Sequence, residues 1–113
     1  MSTAITLFGI PNCDTVKKSR AWFDQAGVAY HFHDFKKQGV PEADLRQWVK
    51  ALGWEALVNK KGTTWRKLDE ATQAGITDAE TAIALMLSNS SVIKRPVVVK
   101  GSHISVGYSP EKW

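Results

Sequence analysis

The sequence predicts an α/β fold. Three observations carry that expectation: a strand–helix–strand pattern near the N-terminus, helical periodicity through the middle, and two short apolar strands around a glycine near the C-terminus. The 113 residues fit one domain, 1–113, with enough chain to build a core without cross-links.

The first strand is the apolar run Ile5, Leu7 and Phe8, punctuated by Gly9 and Pro11. Asn12 is a favoured helix-capping residue, so a helix is expected over 13–26. Val16, Phe23 and Ala26 form its apolar stripe, and Gly27 stops it. Residues 28–35 are rich in aromatic and β-branched side chains and read as a second strand. Strand, helix and strand in about thirty residues make a βαβ unit, hence a parallel pair with a right-handed crossover. His31 and His33 share a parity on that second strand, but two histidines without a third ligand do not predict a metal site. Lys36, Lys37, Gln38 and Gly39 read as a polar turn.

The middle of the chain is helical. Pro41, Glu42 and Asp44 open a helix whose inward stripe is Leu45, Trp48, Val49 and Leu52, and Gly53 ends it. A short turn over 54–58, a basic loop over 59–62 and a short helix over 63–68 follow. Gly75 precedes a further helix capped by Thr77 or Asp78, with Thr77 and Glu80 spaced as a capping box. Its apolar face is Ala79, Ala82, Ile83, Met86 and Leu87. Residues 41–91 thus read as a helical insertion between two sheet-forming halves. Residues 97–99 and 103–106 then form an antiparallel hairpin, and Ser109 can cap a helix with Pro110 at its first position, although the chain stops before a full helix can form.

Composition narrows the function. The net charge is +4 and the pI about 9.3, but the positive residues are dispersed, which favours attraction of an anionic small molecule over nucleic-acid recognition. A single cysteine rules out an intramolecular disulfide and fits a reducing, cytoplasmic setting. No secretory signal and no run of roughly 18 apolar residues that could span a membrane is apparent. No helix is apolar all round, so a monomer is expected.

Cys13 is the candidate reactive group. In the first helical turn it meets backbone N–H groups without partners and the positive end of the helix, both of which favour a thiolate. A parallel βαβ unit, a helical middle and a closing hairpin follow the thioredoxin-like plan with an inserted helical region. In that plan a proline before the first hairpin strand, often cis, faces the reactive cysteine. Pro96 holds that place, so Arg95–Pro96 is expected to be cis, with the Arg95 guanidinium positioned to hold a carboxylate or stabilise the thiolate.

Residues 8–15 with the lysines after them, the stretch 57–60, Lys94-Arg95-Pro96 with its valines, and residues 106–110 together resemble the arsenate-reductase-like family that includes the Spx-type transcriptional regulators. Within it the pattern is most similar to the YffB branch of small glutathione-dependent thiol reductases. The arsenate reductases of that family carry a histidine just before the cysteine loop, where this chain has Phe8-Gly9-Ile10. They also hold the oxyanion with three arginines, of which only Arg95 is matched; Asn59 and Gly107 stand at the other two positions. Lys60 and Lys61 replace part of that charge without the bidentate fork, so arsenate reduction is expected to be weak. Spx-type regulators carry a Cys-x-x-Cys switch and bind RNA polymerase; Cys13 has no second cysteine, which excludes that switch and leaves binding to a protein partner as an alternative.

The resemblance implies a glutathione-dependent thiol–disulfide oxidoreductase with glutathione as co-substrate and no metal. Cys13 would form a mixed disulfide, resolved by a second glutathione because the chain has no resolving thiol. Arg95 would serve as the second catalytic residue. Asn12, Asp14, Thr15, Lys17, Asn59, Lys60 and Pro96 complete the expected glutathione-binding set. Asp14 introduces a like charge beside the sulfur and opposes thiolate formation if it points inward.

Overall fold

The computed structural model describes residues 4–113. They form two compact units: the chain up to Gln38 together with Arg95–Trp113, and Gly39–Lys94. The first contains a four-stranded sheet in the order β2-β1-β3-β4. Its strands are β1 (Ile5–Gly9), β2 (His31–Asp34), β3 (Val97–Lys100) and β4 (His103–Val106), with helix α1 (Asp14–Ala26) between the first two. β1 and β2 are parallel, while β1–β3 and β3–β4 are antiparallel, as the βαβ and hairpin patterns predict.

Side-chain alternation along β1 sorts its residues onto two faces. Ile5 and Leu7 pack with Val98 of β3 and with Val16 and Phe23 of α1. On the other face Phe8 lies 5.0 Å from the His33 ring and 6.3 Å from the Phe35 ring. His33 is therefore an aromatic packing partner, and His31 is exposed at the strand start. Trp113 completes the helix-side core from the far end of the chain. Its ring stacks on Phe23 at 4.9 Å, meets Trp22 edge-on at 5.3 Å, and its Nε1 donates to Ser105 Oγ at 3.2 Å.

Several boundaries differ from the sequence expectation, each for a local reason. Helix α1 begins at Asp14, and Cys13, not Asn12, occupies the cap with extended φ −138° and ψ 124°. Ala26 is exposed, and Ser19 takes its place in the buried stripe because its hydroxyl is satisfied by the Thr15 carbonyl at 2.7 Å. The second strand starts at His31, because Gly27 and Val28 are engaged in closing α1 and residues 29 and 30 only lead into the sheet. Gly27 adopts φ 71°, its N–H reaches the Asp24 carbonyl, and the Val28 N–H reaches that of Phe23. The strand also ends one residue early. Asp34 Oδ1 accepts the Lys36 N–H at 2.8 Å, which starts a short helix α2 (Phe35–Gln38) where a polar turn was expected.

The second unit is helical: α3 (Glu42–Leu52), α4 (Trp54–Leu57), α5 (Thr63–Arg66), α6 (Glu70–Ala74) and α7 (Ala79–Ser88). α3 packs against α4 and α7, burying Leu45, Trp48, Leu57, Ala82, Ile83 and Met86. α6 has no apolar stripe to announce it in the sequence; Asp69 nucleates it by accepting the Thr72 N–H at 2.7 Å. Capping of α7 falls to Asp78 paired with Thr81, in place of the Thr77–Glu80 box. The Asp78 carboxylate accepts the Thr81 N–H at 2.9 Å while the Thr81 hydroxyl accepts the Asp78 N–H at 3.1 Å.

A Cβ built on Gly9 would sit 2.8 Å from Val16 Cγ2, so β1 and α1 approach as closely as they do only because residue 9 has no side chain. Gly9→Ala should destabilise by about 1–3 kcal/mol in urea unfolding. Adding Val16→Ala should cost less than the two single changes summed, and strict additivity would remove the contact as the cause. In the second unit, the Thr81 backbone N–H, with the Thr81 hydroxyl, holds the Asp78 carboxyl below its ordinary 3.8. A lowered folded-state value means the stabilisation is present at neutral pH and is lost as pH falls below that range. Asp78→Ala should therefore lower Tm at neutral pH, and the gap to the parent protein should narrow towards about pH 2. A gap independent of pH would contradict this.

Candidate functional site

The residues of interest in the first unit gather at one end of the sheet because of strand register. β1 runs towards that end, leaves the sheet at Gly9, and continues through Ile10, Pro11 and Asn12 to Cys13. Phe8 pairs with Val97 in antiparallel register, so Arg95 and Pro96, just before β3, lie at that same end. Val97 in turn pairs with Val106, which brings Gly107 there, and Gly9 pairs with Asp34 of β2. Four separate chain segments thus converge on the end of β1.

Cys13 is half-buried and packs against the cluster of Ile5, Leu7, Val16, Phe23 and Val98. Its carbonyl accepts the Lys17 N–H at 2.9 Å, the first hydrogen bond of α1. Cys13 immediately precedes, in the chain, the backbone N–H groups that open the helix and have no intrahelical partner, and its side chain makes no cap hydrogen bond to them. Among the described residues no hydrogen bond reaches the sulfur. Asn12, Asp14, Thr15 and Lys17 are all exposed around it.

The Arg95–Pro96 peptide bond is cis, as the sequence predicts. Pro96 is fully buried and Arg95 half-buried. The Pro96 carbonyl accepts the Gly107 N–H at 2.8 Å. Gly107 adopts φ 83°, a left-handed conformation that favours glycine and turns the chain out of β4. Gly107 therefore has a backbone role here.

Asn59 and Lys60 belong to the second unit. The Asn59 N–H donates to the Val92 carbonyl at 2.8 Å, next to the antiparallel bridge between Val58 and Ile93. The Lys60 ammonium lies 5.5 Å from the ring centres of both Trp54 and Trp65. These contacts order the basic loop within its own unit. Sequence reasoning did not single out Arg20, Asp34 or Gln38, which stand beside the Cys13 loop in the first unit. The available signal was the seven-residue spacing from Cys13 to Arg20, close to two helical turns.

Among the described residues, no group of three His, Cys, Asp or Glu side chains gathers as a metal site, and no helix is long and apolar enough to cross a membrane.

Comparison with known proteins gives a consistent result. The sequence profile of the ArsC family matches residues 8–113. A solved structure of a YffB protein is 46% identical, with a TM-score of 0.90 over 96% of this chain and 94% of that one. An uncharacterized protein of Haemophilus influenzae is 36% identical over 96% of this chain and 95% of its own length. The global transcriptional regulator Spx of Streptococcus mutans is 22% identical over 96% of this chain and 79% of its own length. The mixed α/β architecture, with its four-stranded sheet, matches thioredoxin-like ArsC structures.

The half-buried packing of Cys13 generates a prediction that does not depend on any substrate. Cys13→Ser places a hydroxyl against an apolar cluster and should destabilise by about 0.5–2 kcal/mol in urea unfolding. Cys13→Ala should cost less than Cys13→Ser, and the reverse order would contradict an apolar environment for the sulfur.

Proposed function

Since the chain belongs to the ArsC family, we propose that it is a glutathione-dependent thiol–disulfide oxidoreductase working through Cys13 alone. The observation that carries this reading is the thiol at the cap of α1, at the same sheet end as the cis Arg95–Pro96 bond. The Cys13 thiolate attacks the glutathione sulfur of a glutathionylated substrate. A bond forms between Cys13 Sγ and that sulfur, the original disulfide breaks, and the substrate leaves as a thiolate that takes a proton from water. A second glutathione thiolate attacks the glutathione sulfur of the mixed disulfide. It releases the Cys13 thiolate and forms glutathione disulfide, so each turnover consumes one free glutathione, and the other half of the product is the glutathione that the substrate carried.

The roles of this chain's residues are electrostatic and steric. The N–H groups at the start of α1 stabilise negative charge on sulfur. Arg95 offers a fork of donors to a glutathione carboxylate, and buried Pro96 fixes where that fork starts. Asn12, Thr15 and Lys17 present polar groups around the thiol, and exposure of Asp14 lets its charge be screened by water. Asn59 and Lys60 enter as glutathione contacts through the family resemblance. The reading places the protein in a reducing, cytoplasmic compartment, where a lone thiol stays reduced.

The competing reading is a transcriptional regulator, as the name of the Spx relative suggests, which through the family resemblance would act by binding RNA polymerase or another protein partner. It is favoured by similarity to that regulator along nearly the whole chain. Arsenate reduction is a weaker third reading, because only Arg95 is available of the three guanidinium positions.

Turnover of a glutathionylated peptide in the presence of glutathione distinguishes these. Cys13→Ser should reduce it to the uncatalysed rate, and retained turnover would overturn the mechanism. Arg95→Ala should raise the KM for glutathione by roughly tenfold, the loss of about one charge-assisted hydrogen bond, and unchanged kinetics would remove Arg95 from the site.

A further inference from the structure

The first unit contains a cavity beside the Cys13 loop that the exchange chemistry above leaves unused. Pro11, Arg20, Phe32, Asp34, Lys37 and Gln38 line about 530 Å³ of space, a size that accommodates a small ligand. Pro11 stands two residues before Cys13, and Arg20 seven residues after it along α1. Seven residues are nearly two helical turns, so Arg20 returns to the angular position of Cys13 about 10 Å along the axis. Roughly three extended residues span that distance.

The lining has a definite chemistry. The Arg20 guanidinium lies 4.3 Å over the Phe32 ring, and its Nε donates to the Tyr30 hydroxyl at 3.1 Å. These two contacts fix the plane of the guanidinium, while its terminal nitrogens have no protein partner among the described residues. Lys37 is exposed at the rim. Asp34 is the one carboxylate in the lining; it is 8% exposed, and its Oδ1 is engaged by the Lys36 N–H. Two cations and an aromatic wall outweigh one carboxylate that is partly committed to backbone.

We propose that this cavity is a subsite for the carboxylate-bearing half of the disulfide that Cys13 attacks. The proposal rests on the thiol-exchange reading and adds a substrate class to it. Arg20 takes the carboxylate through its terminal nitrogens, Phe32 supports the aliphatic stem, and Lys37 adds positive potential. The cavity adjoins β2, on one side of β1, whereas Arg95 and Pro96 precede β3 on the other. The two halves of a disulfide meeting at Cys13 therefore have separate seats. The carboxylate comes either from a small thiol acid or from an acidic side chain near a protein cysteine.

The test compares Cys13 modification in the full chain by dithiodipropionate, a dianion, and by neutral hydroxyethyl disulfide. The ratio of the two rates, normalised to a free thiol, reports the subsite. Arg20→Gln should lower that ratio roughly tenfold, Lys37→Gln about two- to threefold, and Asp34→Asn should raise it. A ratio unmoved by all three substitutions overturns the proposal. Failure of Cys13 to react with either disulfide refutes the thiol-exchange reading instead. The subsite then stands or falls on an NMR titration of the full chain with glutarate. Shifts centred on the Arg20 side chain, Phe32 and Lys37 support it, and their absence overturns it. A glutamate-flanked cysteine peptide, presented as its mixed disulfide with mercaptoethanol, separates the two sources. Faster reaction than dithiodipropionate supports a protein substrate at the subsite, and slower reaction supports a small thiol acid there.

Discussion

The close approach of β1 to α1 at Gly9 and Val16 is the contact on which the rest of the site depends. With no Cβ at residue 9, the last turn of strand and the first turn of helix sit against each other without a spacer. The loop between them is therefore short, and its last residue, Cys13, falls at the helix cap. A bulkier residue 9 would move α1 outward and take Cys13 off the core cluster of Leu7, Val16, Phe23 and Val98. The thiol's location is thus a packing consequence before it is a chemical one.

Around that point the sheet register brings unlike surroundings to the two sides of β1. Towards β3 the structure is closed and tied down: Pro96 is buried, its carbonyl is held by Gly107, and Trp113 anchors β4 through Ser105. Towards β2 the structure is open, with a cavity edged by Arg20 and Lys37. A closed side that fixes one group and an open, charged side that admits another suit a reaction between two sulfur compounds at one thiol. The same arrangement also explains why the first unit needs its two distant chain segments together. β3 supplies the inner partner of β1, and without it neither Leu7 nor Arg95 would have its present surroundings.

Much of this was legible in the sequence, and the parts that were not have physical reasons. The glycine and proline punctuation after β1, the stripe of Leu45, Trp48 and Val49, and the valines of β3 all mark elements whose burial follows from their spacing. The cis Arg95–Pro96 bond was legible from its place before the hairpin. Boundaries decided by single side-chain-to-backbone hydrogen bonds were not. Asp34 begins α2 and Asp69 begins α6 by accepting one N–H each, and such bonds leave no periodic trace; at α7 the Asp78 cap was legible but its pairing with Thr81 was not. The choice of Cys13 over Asn12 at the cap depends on the extended backbone angles at Cys13, which residue types alone do not set. The Arg20 cavity escaped notice because its lining comes from α1, β2 and α2, and only the fold brings these together.

The central claim is that Cys13 is an activated thiol that exchanges with glutathione disulfide. Intact mass of the reduced protein, followed during incubation with glutathione disulfide at several pH values beside a small free thiol, tests it most directly. The account predicts addition of one glutathione much faster than to the free thiol, and its reversal by free glutathione. Addition no faster than to the free thiol at every pH would contradict it and favour a protein that works by binding a partner.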